Sequence, residues 1–103
     1  MIKHIVMWKL KEYAEGASKT TNAVKMQKLL ESCRHLVPGM LTLEVALAST
    51  NPSLEATYDV VMYSEFADKA ALDAYQDHPT HQALKPFIGA VRSERQCMDY
   101  TVG

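Results

Sequence analysis

Four stretches of this chain alternate residue by residue between apolar and polar side chains, and two stretches between them repeat at helical spacing. That order constrains the fold more than any other feature. Ile2 to Leu10 sets Ile2, His4, Val6, Trp8 and Leu10 on one face and Lys3, Ile5, Met7 and Lys9 on the other. A period of two is the signature of a strand. KEYAEGAS follows as a loop broken at Gly16. From about Ser18 the period becomes helical, with Ala23, Met26, Leu29, Leu30, Cys33, Leu36 and Val37 on one stripe; Ser18 or Thr20 is a suitable cap and Pro38-Gly39 a stop. Met40 to Ala48 and Tyr58 to Phe66 alternate again, separated by the turn-rich STNPSLEAT. Asp68 caps a short helix, DKAALDAYQ. Pro79 opens a further helix carrying Leu84, Phe87, Ile88 and Val91, which Pro86 bends or restarts. Glu94 to Val102 forms the last strand.

Strand, helix, strand, strand, helices, strand is the split βαβ pattern. It predicts an α+β, ferredoxin-like βαββαβ domain over residues 1–103: a four-stranded antiparallel sheet with helices on one face. Length agrees, because 103 residues make one domain of ordinary size. The face away from the helices still carries Ile5, Met7, Val61 and Tyr63. A solvated face would be more polar, so a second copy is expected to cover it and form a homodimer.

Composition narrows the function classes. A formal net charge of −1 argues against nucleic acid and anionic membranes as partners. No apolar run reaches the roughly 18 residues of a membrane span, and IKHIVMWKL lacks the basic start and small-residue cleavage site of a secretion signal. Cys33 and Cys97 lie far apart, without metal-type spacing, and read as unpaired core thiols in a cytoplasmic protein. No Gly-rich phosphate loop or nucleophile elbow is present.

Functional chemistry concentrates in AYQDHPTHQAL, residues 74–84, which holds Tyr75 and two of the chain's four histidines, His78 and His81. With Pro79 as the first helical residue, His78 is the cap and His81 falls in the first turn, where the helix dipole disfavours imidazolium. A neutral imidazole is what a general base needs. Both this junction and the His4 face of strand one lie on the helix side, so His4, Tyr75 and His81 are expected to meet in one cavity walled by Val6 and Trp8. His78 is expected to stay out of it. With no fourth ligand to complete a set, no metal and no cofactor are expected.

From KHIVMWKLK through PGMLTLEV, YDVVMYSEF and DKAALDAYQDHPTH to the terminal Asp99-Tyr100, the chain resembles the stress-responsive A/B barrel domain family along its whole length. It departs from the family at Val45-Ala46-Leu47, where relatives often carry a glycine. The resemblance implies a dimeric α/β barrel. It also implies that Tyr75, His81 and His4 match the working residues of a plant polyketide cyclase that closes an aromatic ring by metal-free aldol chemistry. Three readings follow: a protein that binds a small apolar or aromatic molecule without catalysis, a cofactor-independent cyclase or isomerase with His81 as base, and a structural stress-associated oligomer without a ligand.

Overall fold

A computed structural model describes residues 1–102. Strands β1 (Ile2–Leu10), β4 (Met40–Leu47), β5 (Val60–Phe66) and β6 (Arg92–Tyr100) form one antiparallel sheet in the order β4-β5-β1-β6. Helices α1 (Lys19–Glu31), α2 (Lys69–Asp77), α3 (Pro79–Gln82) and α4 (Lys85–Val91) complete the expected ferredoxin-like arrangement. Strand alternation is realised on β1: His4, Val6, Trp8 and Leu10 are buried under the helices, and Lys3, Ile5, Met7 and Lys9 are half-buried on the other face.

Capping explains where the helices begin. Ser18 Oγ accepts from the Thr21 amide at 3.3 Å to start α1, and Asp68 Oδ1 accepts from the Ala71 amide at 2.9 Å to start α2. The core then joins Met26 and Leu30 of α1 and Leu72 and Tyr75 of α2 to Leu43, Leu47, Val60, Met62 and Phe66 of the sheet.

Several boundaries differ from the sequence reading, each for a local reason. The loop at 11–18 contains a small hairpin, β2 (Tyr13–Ala14) with β3 (Ala17–Ser18), turning at Glu15 (φ 52°) and Gly16 (φ 73°). Two successive positive φ angles are what a two-residue hairpin turn needs. Buried Asn22 ties it to α1 by donating to the Ala14 carbonyl at 2.9 Å. Helix α1 ends at Glu31, before Pro38, and the chain unwinds through turns that reach a left-handed residue at His35 (φ 64°). The second strand ends at Leu47, the third starts at Val60, and the last runs two residues earlier than expected, Arg92–Tyr100. Positions 45–47 lie in extended β4 without any positive φ, so the missing glycine costs the backbone nothing there. Pro86 does begin a separate helix: α3 and α4 are distinct. No helix among the described residues is long and apolar enough to cross a membrane.

Strand β6 departs furthest from a core strand. It pairs with β1 along its length, yet Arg92 to Asp99 are all exposed and no helix packs closely on it. Cys97 is therefore exposed, not the core residue expected, while Cys33 is fully buried; both are free thiols.

Candidate functional site: a cationic cavity between β1, β6 and the α2–α4 junction

The end of α2 creates the site. Proline at 79 has no amide hydrogen and cannot continue the helix. His78 becomes the cap of α3, with Nδ1 accepting from the Thr80 amide at 3.1 Å. In an unbroken helix that amide would bond the Gln76 carbonyl four residues back. Diverted to His78, it leaves the Gln76 carbonyl to accept from His81 Nδ1 at 3.2 Å and from Gln82 Nε2 at 2.6 Å. A carbonyl can only accept, so Nδ1 of His81 carries the proton and Nε2 of the neutral ring has a free lone pair. Burial lowers the His81 pKa below its ordinary 6.5; the Gln76 bond opposes this, while positive charge at Lys85, His4 and Arg95 adds to it. The four-residue α3 is too short for the expected dipole to be the main cause.

His81 lines a cavity of about 420 Å³ together with His4, Val6 and Trp8, so four of the five residues expected there share its wall. This volume is in the range of small-molecule sites. Its floor is apolar, with Leu30, Met62 and Ile88, and its rim carries Lys85, Arg92 and Arg95.

Tyr75 is the exception. It is fully buried behind the wall and does not line the cavity. Its ring packs on His81 (centroids 4.5 Å apart) and on Phe66 (5.2 Å), and its hydroxyl approaches the Met62 sulfur at 3.7 Å. The reason is its place on the helix: Ala71, Leu72 and Tyr75 are the buried positions of α2. Burial pushes the Tyr75 pKa upward. His78 is likewise outside the lining, spent on the turn.

His4 is held from the other side. The β1–β6 register sets Asp99 opposite His4, Cys97 opposite Val6 and Arg95 opposite Trp8, all on the helix-side face. His4 Nδ1 donates to the Asp99 carboxylate, and Cys97 Sγ lies 3.9 Å from the same nitrogen. The contribution of Asp99, Arg95, Arg92, Lys85 and Gln76 was missed from sequence. Face alternation on β6 groups Arg95 with Cys97 and Asp99, but only the strand register brings that face to His4.

A second concavity of about 470 Å³, lined by Met7, Ala46, Leu54 and Val61 among others, holds no histidine or cationic side chain. His4, His81 and the three cations line the other cavity.

The stress-responsive A/B barrel domain model matches residues 2–102, and the chain belongs to that family. No curated protein matches it. Among solved structures, a dimeric protein with a ferredoxin-like fold from Bacteroides fragilis is 24% identical, covers 98% of this chain and 95% of its own, and superposes with a TM-score of 0.75. A member of the same family from Mesorhizobium loti, also ferredoxin-like, is 25% identical over 99% and 96% of the two chains, with a TM-score of 0.68. The hydroxynitrile lyase of Passiflora edulis shares the fold at 14% identity, with 99% and 93% coverage and a TM-score of 0.74.

Proposed function

We propose that this protein binds an apolar or aromatic small molecule in the helix-side cavity and that His81 removes a proton from carbon beside a carbonyl of that molecule, without a cofactor. One observation carries the reading: the Gln76 carbonyl fixes the proton of His81 on Nδ1, in a ring that burial keeps neutral, on the wall of a ligand-sized cavity. The C–H proton passes to Nε2, and the electron pair moves onto the carbonyl oxygen as an enolate. The enolate carbon then attacks a second carbonyl, closing a ring, or is reprotonated elsewhere, giving an isomer; His81 returns the proton in either case. His4, anchored by Asp99 through Nδ1–H, shares the cavity wall with His81 and positions the substrate there. Developing negative charge faces Lys85 and Arg95 on the cavity wall. Tyr75, expected on the cavity wall, supports the His81 ring from behind instead. That a fold relative is a lyase is compatible with carbonyl chemistry in such a cavity.

The test is deuterium exchange at the activated C–H of aryl ketones, neutral and carboxylated, followed by proton NMR. The wild-type protein is expected to accelerate exchange, and His81→Ala to remove the acceleration while circular dichroism shows an intact fold. Because the His81 pKa lies below 6.5, the protein-dependent rate should be level above that pH and fall only below it. Exchange unaffected by His81→Ala overturns the base assignment; binding without exchange leaves a carrier.

The open sheet face points to a homodimer. Ile5, Met7, Val61 and Tyr63 are half-buried there and Met98 is 65% exposed, and the Bacteroides relative is dimeric. Light scattering should give about twice the 11.5 kDa chain mass. A folded monomer at micromolar concentration would refute it.

A further inference from the structure

The rim of the His81 cavity has an imbalance that the proton-transfer chemistry does not require. Lys85, Arg92 and Arg95 line it, and no carboxylate does. None of these three cations is in an ion pair among the described residues; Lys3, Lys11, Lys25 and Lys28 share that, and what sets the three apart is that all line one cavity that no carboxylate lines. Asp99, opposite His4 on the neighbouring strand, is engaged by His4. Trp8 is 4% exposed and lines the cavity beside them, in register with Arg95. Three free cations on one cavity ask for an anionic head. The floor of Val6, Leu30, Met62 and Ile88 asks for an apolar body.

We infer that the ligand of this cavity is an apolar or aromatic carboxylate, its head held by Lys85, Arg92 and Arg95. The planar fork of arginine suits a carboxylate better than it suits a neutral carbonyl. This inference rests on the proposed small-molecule reading of the cavity and adds the charge of the molecule. It also assigns the rim cations a positioning role: they fix the head so that the acidic C–H lies toward His81.

The experiment compares 4-phenylbutyrate with 4-phenylbutyramide, which has nearly the same shape but no charge. Trp8 is the only tryptophan, so its indole N–H gives a single readable NMR cross-peak. Titration with the carboxylate is expected to move that peak, with affinity at least about tenfold above the amide. Arg95→Gln and Lys85→Gln should each weaken the carboxylate about tenfold, as befits a charged hydrogen bond, and leave the amide unchanged. Lys69→Gln, a remote surface cation, should change neither and so controls for net charge. Equal affinity for acid and amide, or Gln variants that bind the acid like wild type, overturns the carboxylate assignment while the cavity reading survives. Binding of neither compound overturns both.

Discussion

The helix side of the sheet has two halves built from the same backbone and finished differently. Over β4 and β5, α1 and α2 close completely, and Leu43, Leu47, Val60, Met62 and Phe66 are buried with Met26, Leu30, Cys33 and Tyr75. Over β6 the cover stops: the strand is as regular and as long as β1, yet nearly all of it is exposed. Hydrogen bonding is equivalent in the two halves, so the ladder does not decide which becomes core. Helix cover decides it. Where cover ends, charged groups keep their hydration and can converge on a cavity. Under α1 and α2 the same groups would face a desolvation cost of several kcal/mol each.

Four measurements can break or sharpen this contrast, and the largest effect belongs to the closed half. Phe66 has no exposed surface and packs between the edge of His4 and the tilted ring of Tyr75. Phe66→Ala should cost about 3–5 kcal/mol in urea unfolding, the range for an emptied aromatic core position. A cost near zero would mean that this half is no better packed than β6. Next comes the junction that seats α2. Gly39 has φ +88°, and a Cβ there would lie 2.8 Å from the Cβ of Ala71. Gly39→Ala should lose roughly 1–3 kcal/mol, since left-handed strain and the contact act together. The smallest effect belongs to the open half. Cys97→Ala should change stability by less than about 0.5 kcal/mol, as expected for an exposed position. In the native protein a thiol reagent should titrate Cys97 alone, and Cys33 only after denaturation. Burial raises the pKa of both thiols, so the comparison should be made at mildly alkaline pH. Simultaneous reaction of the two would erase the distinction between the halves.

Much of the fold was legible because its strands alternate and its helices announce their caps, as Ser18 and Asp68 do. The hairpin at 13–18 was not, because two-residue strands carry no period, although Glu15-Gly16 was the available sign. Nor was the end of α1 at Glu31, since the apolar stripe continues through Cys33, Leu36 and Val37 into turns that bury the same face. Of the site, His4 and His81 could be found from residue type and face. The rim cations could not: Lys85 and Arg92 look like ordinary helix-end residues, and Arg95 acquires meaning only from its register with Trp8. Tyr75 misled because a helix stripe says which side is buried but not whether a cavity or Phe66 lies beneath it.

One carbonyl oxygen links chain direction to proton bookkeeping. The Gln76 carbonyl is free for His81 only because the helix is interrupted at His78-Pro79. A residue that let α2 run on through 79 would return the Thr80 amide to that oxygen, and the imidazole, losing its lock, could exchange its proton between nitrogens. The Nε2 lone pair would then face the cavity for only part of the time, with every side chain still present. Punctuation of the main chain, one proline long, decides which nitrogen of His81 carries the proton.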